Sequence, residues 1–225
     1  LGWTRLVKVV KWLMVPVAIV GVTLSSLHQS TLGTLYLNMP HRLNALWYTP
    51  ILPVMFFVSS VMSGLSLATI AYMVSSRALE RPMKEGLVPG LTRWVGYVSL
   101  FYLVLKLGEI TVAGELPLLF AFDSASRLMW LELGVGVVGP LILLLTPALK
   151  ERPFVPWIAP LLVLSGVLIN RFNATLWAQT PPAGVTPYSP HWLEWFTTIG
   201  VLAAACLLWY AGVKFLVVFE RNHYR

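Results

Sequence analysis

Six apolar stretches punctuate this chain, at about 12–27, 49–75, 94–113, 127–147, 153–175 and 193–217, each near or above the length a hydrocarbon core of ~30 Å requires of a helix. No water reaches the backbone there, so only helices or closed barrels satisfy it, and runs of this length read as helices. With 57% hydrophobic and 11% charged residues, the composition lies far from the roughly 25% charged usage of soluble domains. The expected fold class is an all-α integral membrane protein with six transmembrane helices. A net charge of +7 would suit nucleic acid, but the cations sit in short segments between the apolar runs, so nucleic-acid binding is excluded and the bilayer is the first partner.

Those segments alternate. Arg5, Lys8 and Lys11 precede the first span; Arg77, Arg81, Lys84 and Arg93 follow the second; Lys150 and Arg152 follow the fourth; Arg221 and Arg225 close the chain. The intervening connections carry only Arg42 and Arg127. The bias places both termini in the cytoplasm. The outer connections hold Trp47, Tyr48, Trp177 and Trp192 with Pro50, Pro181, Pro182, Pro187 and Pro190, and read as an interfacial aromatic belt. Between the first two spans, residues 28–37 are apolar with a polar head and are expected to form a short helix at the outer surface. The chain starts with Leu1 rather than Met, so it reads as a processed, truncated or partial piece of something longer.

Charges inside the spans need a reason, because one near the bilayer centre costs roughly 2.5–3.5 kcal/mol on insertion scales. Lys106 and Glu109 lie three apart on one helix face. At about 1.5 Å per residue, Glu109, Glu132 and Arg171 fall about four or five residues from the outer ends of their spans. They share a level, so Lys106, Glu109, Glu132 and Arg171 are expected to form one buried network flanked by Asn170 and Asn173. Two roles stand open: mutual neutralisation that fixes packing, or a proton relay opening to the outer face. Lys214, near the inner end of the last span, reads as snorkelling.

Other groups narrow the chemistry. Ser59, Ser60, Ser63, Gly64 and Ser66 in the second span and Gly134, Gly136 and Gly139 in the fourth are small residues that let helices pack closely, and Pro140 is placed to kink the fourth. The lone Cys206 leaves no basis for an intrachain disulfide, zinc cluster or iron–sulfur ligation by this chain. His28 ends a span, His41 and His191 lie in outer loops and His223 in the tail, an arrangement that argues against two axial haem ligands on facing helices. A lone histidine at a span end reads first as an interfacial polar group; the alternative is that His28 and Gln29, at the level where a quinone head group would meet the bilayer, are the candidate quinone-binding pair.

Six motifs in order, His28-Gln-Ser-Thr-Leu-Gly-Thr-Leu, Leu46-Trp-Tyr-Thr-Pro-Ile-Leu-Pro53, Lys106-Leu-Gly-Glu109, Trp130-Leu-Glu132, Asn170-Arg-Phe-Asn173 and Pro190-His-Trp-Leu-Glu194, resemble the NrfD/PsrC membrane-subunit family, most closely its HybB/HmcC-like branch. The resemblance implies a subunit without metal or covalent cofactor that docks an iron–sulfur (ferredoxin-like) protein and a catalytic oxidoreductase subunit, and exchanges electrons with menaquinone or ubiquinone as substrate. Members of this branch carry about ten spans, so this chain matches their C-terminal part. Residues 1–225 would then be a single transmembrane domain, with 12–47 the last helix of a first bundle plus an outer loop, 48–175 a second four-helix bundle made of spans two to five, and 176–225 an outer loop and final helix. The setting is a bacterial or archaeal cytoplasmic membrane. Some relatives carry a carboxylate where this chain has Ala71-Tyr72, a departure on the inner side. An ion- or proton-translocating subunit and a purely structural one are the rival readings.

Overall fold

In a computed structural model, the described residues are 3–78, 80, 82–150, 152–180, 184 and 188–215, with the side chains of 3–7 and 213–215 excepted. Arg81, Pro181, Pro182, Pro187, Arg221, His223 and Arg225, and the side chains of Arg5 and Lys214, lie outside them. The chain divides into two units, Leu1–Ala183 and Gly184–Arg225. Among the described residues, six helical stretches are long and apolar enough to cross a membrane.

The first unit contains α1 (Trp3–Leu37), α2 (Leu52–Ala78), α3 (Leu87–Val112), the short α4 (Leu116–Leu119), α5 (Ser124–Leu133), α6 (Gly139–Leu145), the short α7 (Pro147–Lys150) and α8 (Val155–Phe172). A π-helical turn at Gly134–Val138 joins α5 to α6, and a second at Asn173–Trp177 prolongs α8. Each of α2, α3, α5–α6 and α8 packs on its two neighbours, closing a four-helix bundle around Met62, Val95, Tyr102, Leu133 and Val163. The second unit holds α9 (Trp192–Phe215), most of whose described side chains are exposed, as a helix facing lipid would be.

Small residues set the tightest contact. A Cβ at Gly136 would lie 2.4 Å from the Cα of Gly166, so only glycine at both positions lets the π turn and α8 touch backbone to backbone. Gly134 has open space where its Cβ would be, and so does Gly64; of the expected packing glycines it is Gly136 that bears the contact.

Two local expectations are corrected. Residues 28–37 are not a separate surface helix: α1 runs unbroken to Leu37, and its apolar part, Lys8–Leu37, covers about 45 Å at 1.5 Å per residue. Thr31 and Thr34 return their hydroxyls to the Leu27 and Ser30 carbonyls, which keeps these polar residues compatible with a helix. Gly33 meets Pro53 so closely that a Cβ would sit 2.6 Å from the proline Cα, anchoring this part of α1 on α2. His28 therefore lies within a continuous helix, not at its end.

Trp47, expected in the aromatic belt, is instead 2% exposed. The 38–51 connection folds over one end of the bundle, burying Leu43, Leu46 and Trp47 at i, i+3 and i+4. It is clasped to the chain after α8 by Asn44 N–H donating to the Ala178 carbonyl at 2.9 Å and Thr180 N–H to the Arg42 carbonyl at 2.8 Å, with a β-bridge between Leu43 and Gln179. We call this the capped end.

Candidate functional site

Glu132 is the centre of the capped end. The Asp123 carboxylate starts α5 by accepting from Ser126 N–H at 2.7 Å, and Glu132 follows two turns on, just before the first π turn, 2% exposed. Its Oε2 accepts from Trp47 Nε1 at 2.9 Å and from Asn173 Nδ2 at 2.8 Å; its Oε1 accepts from Asn170 Nδ2 at 2.8 Å. The two asparagines, three residues apart, reach Glu132 from one face of α8. A buried carboxylate needs such donors, since burying an unpaired charge is far more costly than burying a hydrogen-bonded one.

Arg171 turns elsewhere. Its guanidinium donates to Asn170 Oδ1 at 2.8 Å, Ser59 Oγ at 2.9 Å and the Phe56 carbonyl at 3.2 Å, and lies 3.9 Å over the Phe56 ring. Asn170 thus joins the two charges, its amide serving Glu132 and its carbonyl serving Arg171. Lys106, 3% exposed, donates to the Leu46 carbonyl at 2.6 Å and pairs with Glu109 at 3.7 Å. Leu46 and Trp47 are adjacent, so the capping loop links the lysine to Glu132 through neutral groups. The four charges expected in one network do gather at one end, but as two clusters, Lys106 with Glu109 and Glu132 with Arg171 through Asn170, linked by Leu46 and Trp47. Among the described residues, Lys106–Glu109 is the one ion pair within 4 Å.

Three further side chains complete the site. Tyr102 and Asn170 both line two small cavities of about 10 Å³, each the size that holds one water. One is bordered by Glu132 and Ser59, the other by Lys106 and Trp47. Glu115, which opens α4 with its N–H on the Ile110 carbonyl, stands near Glu109 and Lys106. Burial, and after it the Glu109 carboxylate, push Glu115 above the usual carboxylate range, with Lys106 pulling the other way. Sequence reasoning passed over Tyr102 and Glu115 and gave Ser59 to packing. The tyrosine's one available signal was its position four residues before Lys106, one turn along the same face.

His28 is exposed on α1 and Gln29 is half-buried with an unpartnered buried Oε1. Gln29, Gly33 and Tyr36 share the α2-facing side of α1, and the Tyr36 ring stands 6.1 Å from Phe56, under which the Arg171 cluster begins. The structure therefore ties Gln29's helix face to the charged site, while the His28 side chain is exposed. In the first unit the described histidines are His28 in α1 and His41 in the following loop.

A membrane-spanning bundle that keeps ionisable side chains buried at one end defines the class: a multi-pass integral membrane protein with a polar site inside its helices. The chain belongs to the family described as Polysulphide reductase, NrfD, whose profile matches residues 2–181. A Nitratidesulfovibrio vulgaris protein of no more specific name is 30% identical over 237 residues, covering 100% of this chain and 60% of that relative. The "Probable Ni/Fe-hydrogenase 2 b-type cytochrome subunit" of Escherichia coli is 24% identical, covering 97% of this chain and 56% of the relative. The "Menaquinone reductase, integral membrane subunit" of N. vulgaris is 28% identical, covering 90% and 53%. The chain thus spans between half and two thirds of the length of these relatives. No solved structure matches it.

Proposed function

We propose that this chain is the membrane anchor and quinone-interacting subunit of a respiratory oxidoreductase complex in a bacterial or archaeal cytoplasmic membrane. It exchanges electrons between a partner iron–sulfur protein and menaquinone or ubiquinone, and its capped end faces outward and relays protons. Kinship with a hydrogenase subunit and a menaquinone reductase subunit supports the quinone-linked role and the need for catalytic and electron-transfer partners. The observation that carries the relay is the pair of water-sized cavities set between Lys106 and Glu132, with Tyr102 and Asn170 common to both.

Each electron pair delivered to a quinone calls for a proton pair. In this reading Glu109 and Lys106 pass a proton through the Lys106 cavity, the Tyr102 hydroxyl and the second cavity to Glu132, and Arg171 fixes Asn170 so that the carboxylate is held in place. Gln29 and His28 form one wall of the quinone site, with the rest supplied by the longer protein or its partners. The purely structural reading makes the same hydrogen bonds but needs no change of protonation.

The two separate on Glu132→Gln and Glu109→Gln. In the assembled complex, quinone-linked turnover falls roughly a hundredfold, the scale of a lost acid–base group, while turnover with a soluble artificial acceptor and subunit assembly stay as in wild type. Wild-type quinone turnover in both variants defeats the relay. Failure of the purified complex to bind a quinone analogue defeats the quinone assignment and leaves an ion-translocating or structural subunit.

A further inference from the structure

The opposite end of the bundle, where α2 ends and α3 and α8 begin, carries a site of its own. A cavity of about 600 Å³ opens there between the first turns of α3, the end of α6 with α7, and the start of α8. Its size lies within the range of sites that take small organic ligands. Arg93, Lys150 and Arg152 line it, all three exposed, and no carboxylate is among its described lining residues. Glu151 lies outside the described residues; counting its charge still leaves the cations in excess.

Local structure explains the clustering. Arg93 stands in the second turn of α3. The chain leaving α6 is tightly wound, with Lys150 N–H on the Thr146 carbonyl and Arg152 N–H on the Leu149 carbonyl at 2.8 Å, and Val155 N–H then returns to the Arg152 carbonyl at the start of α8. Two cations are thereby held two positions apart in a turn that lines the same cavity as the third. The rest of the wall is apolar and continues into the spans: Gly96 faces Leu144, and Tyr97 flanks them. Thr92 contributes no free hydroxyl, since its Oγ bonds the Val88 and Pro89 carbonyls.

We propose that this cavity binds an anionic phospholipid, the phosphodiester resting among Arg93, Lys150 and Arg152 and the first part of an acyl chain lying along Gly96, Tyr97 and Leu144. The arrangement matches the physics of such sites: basic pockets between transmembrane helices at the level of the head groups, with apolar walls running into the bilayer. A free phosphate would use the cations but has no use for the apolar wall. The site lies at the other end of the bundle from Glu132 and does not depend on the quinone reading.

The test is native mass spectrometry of the delipidated protein in its purified complex, titrated with phosphatidylglycerol, cardiolipin, phosphatidylethanolamine of matched chains, and inorganic phosphate. The anionic lipids bind more tightly than phosphatidylethanolamine. Arg93→Gln, Lys150→Gln and Arg152→Gln each weaken them about fivefold, the worth of one cation near a lipid surface, while Arg127→Gln, outside the cavity, changes nothing. Tyr97→Ala, which removes part of the apolar wall, weakens lipid binding with the cations intact. The single variants alter exposed side chains, so the comparison survives if a triple variant fails to fold. Equal binding of phosphatidylethanolamine, wild-type affinity in all three charge variants, or displacement of lipid by inorganic phosphate at equal concentration overturns the proposal.

Discussion

Glu132 accepts from three neutral donors and from no cation, and that distinguishes it from an ordinary buried ion pair. Oε2 accepts two bonds and Oε1 one, so Oε1 keeps a lone pair that can take a proton without displacing a donor. Trp47 is the donor that the sequence conceals. A tryptophan beside a span end reads as an interfacial anchor, and nothing local says that its loop folds inward. Asn170, Asn173 and the four charges were legible, because depth along a helix follows from counting residues. Trp47→Phe is expected to lower stability by about 1–3 kcal/mol, the cost of depriving a buried acceptor of its donor, read as a lower melting temperature in detergent. An interfacial tryptophan would give no such loss. Glu115 supplies a pH signature. Its carboxyl is raised in the folded protein, so the fold holds that proton more tightly than the unfolded chain does, and its contribution is present at low pH and lost as pH rises through the raised value. Glu115→Gln should therefore match wild type in melting temperature near pH 4 and exceed it at neutral pH; a constant difference across that window would contradict the assignment.

At the scale of elements, the spans could be located from apolar length, but their ends could not. α3 begins at Leu87, ahead of the apolar run that starts near residue 94, because Arg93 and its neighbours stay helical beyond the hydrocarbon level. α1 continues through His28–Leu37 because hydroxyl back-bonds and the Gly33–Pro53 contact outweigh the polarity of the segment. Immediately before Pro140, where the sequence suggests a kink, the helix carries a π turn, which hydropathy does not register. Glycine spacing likewise hides which residue bears a contact. Gly136→Ala or Gly166→Ala places a methyl group against the facing backbone and should cost on the order of 1–3 kcal/mol or more, measured by thermal unfolding, whereas Gly134→Ala meets open space and should be neutral.

For the molecule as a whole, the two ends of the bundle differ in kind: one is capped by a folded connection over uncharged donors and paired ions, the other is an open basic rim. In the orientation proposed from the positive-inside bias, the rim faces the cytoplasm. With Cys206→Ala as background, Glu85→Cys in the basic connection should resist a membrane-impermeant thiol reagent in intact cells, and Ala121→Cys near the capped end should react. Reversed labelling would invert the topology and move the relay to the inner face. The apolar part of α1 before residue 26 buries no side chain in the described chain, so topology rests on charge and not on packing for that span.

The π turns at Gly134–Val138 and Asn173–Trp177 stand beside Glu132 and within the Asn170–Asn173 pair. A π turn amounts to one additional residue accommodated in a helix without changing its axis, and each residue advances an α-helix by about 100°. The two stretches on either side of Gly134–Val138 are consequently out of phase. The site half of that span can keep its own angular address while the half beyond it follows the packing of α8. A gap or insertion of one residue at 134–138 would therefore rephase α6 against α5 and carry Gly136 off Gly166, and one at 173–177 would act beside the Asn173 donor to Glu132.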